Sequence, residues 1–243
     1  MRMAQPVAEP DFVLSSYEFD IVWYALGLDP MPYPLEIART GRTAEERVVL
    51  AGEVYRELGD RGLVSDDVID ADLASLLRLL VGCRVSVDAV GHVSYPLRLL
   101  AAADQSAGVL AVQAGGEVWL TKIRPTALAS AIVGALPLAA AGAGGSVSVP
   151  CPEMPGGADP GREWAMLAGT PAFASLAAQF RGCGRFGVSM GNRARTLSPI
   201  SWFDTEQGRY LMVRDEGRLT VDPADSALIA GRVATILPHP DKW

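Results

Sequence analysis

Displaced by 100 residues, the sequence matches itself. Between positions 74 and 136, twelve of 63 residues are identical to the residue 100 later, roughly double what an Ala/Gly/Leu-rich composition gives by chance. Ala74-Ser75-Leu76 recurs as Ala174-Ser175-Leu176, Gly82-Cys83 as Gly182-Cys183, and Ala127-Leu128 as Ala227-Leu228. Gly91, Asp104 and Gly108 meet Gly191, Asp204 and Gly208. The matched glycines fall at expected turns, where an unusual backbone angle would require them. Such a chain is expected to fold as two copies of one supersecondary unit.

In the first half, helix signals come first. Ser15, with Glu18 three residues later, forms a capping box, and Phe19, Val22, Trp23 and Leu26 follow at helical spacing up to Gly27. Pro30, Pro32 and Pro34 predict an extended, irregular segment. Thr43 and Glu46 open a second helix to about Leu58, and a third runs from about Asp70 to Leu80. The nearby Asp66, Asp67, Asp70 and Asp72 read as carboxylates favoured at a helix N-terminus rather than as metal ligands. After Gly82 come β-rich runs near 84–90, 94–102, 108–113 and 117–123, and Pro125 then opens a helix ending before Pro137. The short turns, Gly91 and Gly115-Gly116, make the four strands an antiparallel meander.

By the repeat, the same helix, meander and helix are expected at 170–182, 184–222 and 223–237. The fold class is therefore α+β, a pseudo-two-fold repeat of helix, four-stranded antiparallel meander and helix, with the meanders forming one sheet or two adjoining ones. A single domain over 1–243 is expected. Its halves lie at about 11–138 and 162–238, joined by an Ala/Gly/Pro-rich linker at about 139–161.

Composition narrows the function classes. Hydrophobic residues at 49% against 20% charged make a globular profile. A net charge of −7 and a pI near 4.9, with no Lys/Arg-rich block, argue against nucleic-acid binding, which needs a basic face. Thr126 to Pro152 carries no charge, but Pro137 interrupts it and leaves about a dozen helical residues where a bilayer needs roughly 20, so no membrane insertion is expected. Cys83, Cys151 and Cys183 form no C-x-x-C pair, and Met1 to Glu9 has no apolar signal core. Both features point to the cytoplasm.

Candidate chemistry is sparse. Gly187-Val188-Ser189-Met190-Gly191 satisfies the G-x-S-x-G pattern, with Asp204 or Asp225 and then His239 in hydrolase order. A small serine hydrolase is thus the alternative reading. A nucleophile elbow needs strand, sharp turn and helix, however, whereas Asn192 to Phe203 contains Pro199 and reads as a second strand. The repeat also sets Ser189 against Ala89, each before a turn glycine. Gly142-Ala143-Gly144-Gly145 lacks the Lys-Ser/Thr of a phosphate loop and reads as flexible linker. His92 and His239 have no cysteine or second histidine at ligand spacing, so no metal and no other cofactor is expected. Cys83 and Cys183, at helix-to-strand junctions, read as small buried residues.

A surface reading remains. Leu211 and Val213 alternate with Tyr210 and Met212, and Leu219 and Val221 with Arg218 and Thr220. If the aliphatic set faces the helices, Tyr210 and Met212 lie on the opposite face, joined by Trp202 from the neighbouring strand. In the first half, Leu110, Val112 and Leu120 form the matching core set and leave Trp119 and Thr121 outward. Unless another element covers them, Trp119, Trp202, Tyr210 and Met212 are expected anchors for a protein partner, the role that aromatics and methionine favour on open surfaces.

These residues carry a family resemblance. Phe12-Val13-Leu14-Ser15 through Trp23, Leu26-Gly27-Leu28, Pro32-Tyr33-Pro34-Leu35, and Gly41-Arg42-Thr43 with Glu46-Arg47 resemble the N-terminus of the EspG family. Trp202-Phe203-Asp204-Thr205, Gly208-Arg209-Tyr210-Leu211 and Gly217-Arg218-Leu219-Thr220-Val221 with Pro223-Ala224-Asp225 resemble its C-terminal part. The resemblance spans about residues 11–237 and implies a central antiparallel sheet with helical bundles. It further implies a cytosolic chaperone of the ESX (type VII) secretion systems of actinobacteria. Such a chaperone binds the helical tip of a PE–PPE heterodimer or a similar helical hairpin, keeps it soluble and directs it to its secretion system. Family contacts use the loop between the second and third strands, here Ala103 to Gly108 with Asp104, Gln105 and Ser106, together with the sheet and the C-terminal bundle. Such a chain is expected to act as a monomer or weak homodimer.

Overall fold

The computed structural model describes residues 9–151, 169–171, 173, 176, 179–191 and 196–238, with 196–199 in backbone only. Its helices start where the caps predict. Ser15 closes a capping box with Glu18 at the head of α1 (Ser16–Ala25), Thr43 accepts the Glu46 N–H at the head of α2 (Ala44–Asp60), and Asp70 accepts the Leu73 N–H at the head of α3 (Ala71–Gly82). Each side chain satisfies an amide that a helix N-terminus otherwise leaves without an intrahelical partner. Gly27, at φ +65°, ends the turn after α1.

The first meander comprises β4 (Val85–His92), β5 (Pro96–Ala103), β6 (Gly108–Ala114) and β7 (Glu117–Ile123), and α4 (Leu128–Gly134) follows it. Ahead of them lie β1 (Phe12–Ser15) and the small hairpin of β2 (Val64–Ser65) with β3 (Val68–Ile69). Beyond them are β8 (Val147–Pro150), β9 (Phe180–Met190), β10 (Thr196–Thr205), β11 (Gly208–Asp215), β12 (Arg218–Pro223) and α5 (Ser226–Ile236). All strands except β2 and β3 form one ten-stranded sheet in the order β1-β7-β6-β5-β4-β9-β10-β11-β12-β8. Every neighbour in it is antiparallel.

The two meanders meet at β4 and β9, with Val85 opposite Met190 and His92 opposite Cys183. A two-fold operation that advances the numbering by 100 carries the pair Val87–Val188 onto Gly187–Asp88, itself a pair of the same ladder. Farther out the spacing drifts. The β6–β7 turn is Gly115-Gly116 and the β11–β12 turn is Glu216-Gly217, each with both residues at positive φ, the conformation a two-residue hairpin turn requires. Four residues separate Ala103 from Gly108, but only two separate Thr205 from Gly208.

Both faces of the sheet are covered along most of its width, the exception being where β4, β9 and β10 meet. One carries Val85, Val87, Leu99, Leu110, Val112, Trp202, Leu211 and Val213 against α4 and α5, which also pack on each other. On the other face of the first half, Leu100, Val109, Ala111, Val118 and Leu120 meet α1 and α3. In the second half, Phe203, Tyr210, Met212, Leu219 and Val221 meet Cys151 and Phe173. This two-sided burial explains the apolar run Leu99 to Ala103, which shows no alternation.

Several expectations need correction. The helix expected over 170–182 gives way to strand at Phe180, although Pro171, Phe173 and Leu176 are helical; Ala174 and Ser175 lie outside the described residues. Cys183 therefore sits within a strand rather than at a junction like Cys83, because β9 extends to meet β4. Gly91 lies within β4 rather than at a turn, and a Cβ there would collide with the Cys183 carbonyl. The segment read as linker holds β8 on the sheet edge, and Ala141 bridges Arg209; residues 152–161 lie outside the described residues. Gly142 is pinned rather than flexible. Its N–H donates to the Arg209 carbonyl at 2.8 Å, and a Cβ on it would overlap the Tyr210 ring.

Candidate functional site

The loop between β5 and β6 is a self-closed turn. Asp104 Oδ1 accepts the Ser106 N–H at 2.7 Å, the Ala107 N–H at 2.8 Å and the Ser106 hydroxyl at 2.9 Å. Its backbone N–H donates to the Ala107 carbonyl at 3.0 Å. The bond from the Ser106 amide is the largest of the influences that hold the Asp104 carboxyl below its usual range. Asp104 thus shapes the loop, while Gln105 and Ser106 stand exposed at its tip. Its partner in the repeat, Asp204, does something else: with shorter loop connections in the second half, it lies on β10 and pairs with Arg209.

The proposed aromatic set is split by the sheet. Trp202 pairs with Leu211, so it shares the α4/α5 face, whereas Tyr210 pairs with Phe203 and Met212 with Ser201 on the opposite face. Trp119 pairs with Val112, again on the α4/α5 face, and Leu120, expected beside Leu110 and Val112, points the other way. Nor is either face open at these positions. Trp202, Tyr210 and Met212 are 1%, 2% and 5% exposed. Trp202 lies over Gly184, where a Cβ would overlap its ring, and packs on Phe186 with ring centroids 4.9 Å apart. Tyr210 stacks on Phe203 at 5.1 Å and donates its hydroxyl to the Ala143 carbonyl at 2.8 Å. Trp119 alone of the set is half-buried, its indole N–H donating to Glu117 Oε2 at 2.8 Å.

What the surface does offer at the sheet centre is a groove of about 420 Å³ where β4, β9 and β10 meet. Val90, His92, Arg185, Cys183, Ser201 and Phe203 share one face there by their pairing, and Met212 and Trp202 reach its lining. Neither Val90 nor Phe180 draws attention in the sequence, because this groove exists only once β4 of one half pairs with β9 of the other. Burial, as the largest influence, raises the thiols of Cys183 and Cys83 above the usual range, which makes them poor nucleophiles at neutral pH.

The G-x-S-x-G segment does not form an elbow. Ser189 lies inside β9 opposite Ser86, and the chain passes through Met190 into a turn at Gly191. Asp204 is bound to Arg209 and Asp225 caps α5 by accepting the Leu228 N–H at 2.8 Å; His239 lies outside the described residues. Ser189→Ala is expected to leave the melting temperature within a degree or so, since a half-buried strand hydroxyl is replaced by a small side chain. A fluorophosphonate probe should label wild type and variant alike at background; selective labelling of Ser189 would contradict this. Among the described residues, no helix is long and apolar enough to cross a membrane, and no group of three acidic, histidine or cysteine side chains is placed to hold a metal.

A ten-stranded antiparallel sheet flanked by helices on both faces, assembled from two matched meanders, defines an α+β class in which surface rather than chemistry is conspicuous. The chain belongs to the EspG family, whose sequence model matches residues 15–235. Among solved structures it is similar to the Mycobacterium tuberculosis type VII secretion system chaperone EspG5, determined in complex with a PE25–PPE41 dimer. The TM-score is 0.69 at 16% identity, covering 94% of this chain and 97% of that one. Comparison with curated proteins gives no match.

Family motifs in the sequence turn out to be structural. In Gly41-Arg42-Thr43 and Glu46-Arg47, Gly41 has φ +79°, and a Cβ on it would stand 2.8 Å from Arg47 Cγ. Arg47 pairs with the buried Asp20 at 2.8 Å, and Asp20 also accepts the Thr40 N–H at 2.8 Å.

Proposed function

We propose that this chain is a cytoplasmic, non-enzymatic chaperone of type VII secretion. It binds the helical tip of a PE–PPE heterodimer or a similar helical hairpin, keeps the substrate soluble and directs it to its secretion system. The observation that carries this reading is correspondence along nearly the whole chain, in family and in fold, with a chaperone solved on such a dimer. A hairpin tip exposes apolar residues that aggregate unless covered, and covering them requires a shaped surface but no chemistry.

The loop Asp104-Gln105-Ser106 and the central groove are the proposed contact surfaces. Asp104 holds the loop, and Gln105 and Ser106 meet the partner. Trp202 and Met212 support the groove from inside, Tyr210 backs Phe203, and Trp119 contributes at most an edge. The chain itself is proposed to be monomeric or weakly dimeric.

Co-expressed with the helical-hairpin pair encoded beside its gene, the protein should co-purify as a soluble complex. Gln105→Arg with Ser106→Arg should weaken binding about thirtyfold in calorimetry, the loss expected when an interface contact worth about 2 kcal/mol is removed. Both positions are exposed, and although Ser106→Arg removes the hydroxyl bond to Asp104, the two amide bonds to that carboxylate remain, so the melting temperature should move little. Failure to bind any neighbouring hairpin pair, by co-purification and calorimetry alike, would refute the assignment.

A further inference from the structure

We propose that the groove between α1 and α2 is a second docking surface, taking a helical segment of a protein partner that carries carboxylates beside an apolar face. This goes beyond the PE–PPE reading and does not rest on it. The groove measures about 610 Å³, and its twelve lining residues include Arg39, Arg42 and Arg47 but no carboxylate. In a chain of net charge −7, the exposed Arg39 and Arg42, with Arg47 behind them already paired to Asp20, oppose the overall sign along this groove and select an acidic partner.

Folding accounts for Arg47 but not for Arg39, Arg42 or the exposed apolar residues beside them. Arg47 is engaged with Asp20 and with the Thr40 carbonyl. Arg39 and Arg42 are exposed, and their guanidinium groups have no carboxylate partner among the described residues. The Tyr24 ring is flanked by Arg47 at 4.7 Å and Arg39 at 5.6 Å, yet remains 61% exposed. On α2, only Val54 and Leu58 are buried, while Val48 and Val49 stand 73% and 63% exposed. These valines lower helix propensity and add nothing to the core, and Val48, which lines the groove beside Tyr24, offers apolar area for a partner to cover.

The shape selects a helix. Side chains of two helices bound the groove, with Ile21, Tyr24, Val48 and Ala51 as its apolar part. It has no strand edge to extend, so an amphipathic helix laid in the groove is the fitting mode. The site is also separate from the β5–β6 loop. Glu36 exchanges two hydrogen bonds with Gln113, at 2.8 Å and 2.7 Å, which ties the segment leading to Arg39 to the end of β6 remote from Gly108.

The test uses the full chain and a fluorescein-labelled amphipathic helical peptide with one leucine face flanked by glutamates, read by anisotropy at low salt. The glutamate peptide should bind at least tenfold more tightly than its glutamine counterpart, and added salt should narrow the gap. Arg39→Glu with Arg42→Glu should reverse the preference in favour of a lysine-flanked peptide. Val48→Asp should weaken binding about tenfold without moving the melting temperature, and Gln105→Arg should leave binding unchanged. Equal binding of the glutamate and glutamine peptides, no binding, or indifference to the arginine pair would overturn the proposal. So would a dimer that Val48→Asp dissociates in sedimentation, since the occupant would then be a second copy of this chain.

Discussion

Trp202→Ala is expected to cost about 3–5 kcal/mol of folding stability, the range for emptying a large aromatic site in a packed core. The indole is nearly fully buried, lies over the space that Gly184 leaves free, and packs on Phe186. It lies in the core cluster between the sheet and α4 and α5, a packed site with little freedom to collapse. Trp202→Phe should cost far less. The smaller ring loses contact area, but it also removes an indole N–H that is buried with no hydrogen-bond partner among the described residues, a group that costs about 1–3 kcal/mol to leave unsatisfied. Urea denaturation of the two variants checks the contrast. Where the variant is fully folded, any loss of partner binding in Trp202→Ala should fall well below the thirtyfold expected for the loop pair, since Trp202 supports the groove from beneath; a persistent large loss would return Trp202 to the interface.

The second large effect should come from Arg209. Its side chain is fully buried, with Nε and Nη2 at 2.7 and 2.8 Å from the two Asp204 oxygens and Nη2 also 2.8 Å from the Pro137 carbonyl. Arg209→Met leaves the mostly buried Asp204 carboxylate without its cation and should cost about 3–5 kcal/mol. Adding Asp204→Leu to Arg209→Met should recover much of that loss, because two charges no longer need burial. Chemical denaturation of both singles and the double closes the cycle. Additive losses would show that the two residues act independently. The bond to the Pro137 carbonyl gives the pair a wider role, since it fastens the end of the α4 segment to the second meander.

Local chemistry was readable from the sequence. Ser15 and Thr43 each announced a helix start by offering an oxygen to an amide three residues on, the acidic residues around Asp70 did so by charge at a helix N-terminus, and Gly115-Gly116 announced a hairpin by tolerating positive φ. These signals need only neighbours. The face assignments failed because they depend on register across turns of unequal length. Four residues between β5 and β6 against two between β10 and β11 displace Asp204 from the role of Asp104. Alternation misled for a related reason: with helices on one face and other apolar elements on the opposite face, Leu211 and Tyr210 are both interior residues. The short edge strand Val147-Ser148-Val149-Pro150 carries too little signal to stand out from a loop. The central groove was unreadable in principle, since β4 and β9 lie almost a hundred residues apart.

The join between β4 and β9 also sets the mechanics of the molecule. Eight consecutive residue pairs stitch the halves together, from Val85–Met190 to His92–Cys183, and α4 lies against α5 across the same seam. Separating the halves would shear a strand ladder and strip a helix pair of its packing at once, a motion with no soft intermediate. The chain is thus a stiff beam rather than a jaw. Any cargo it carries therefore meets a surface already formed, and binding costs little reordering of the chain.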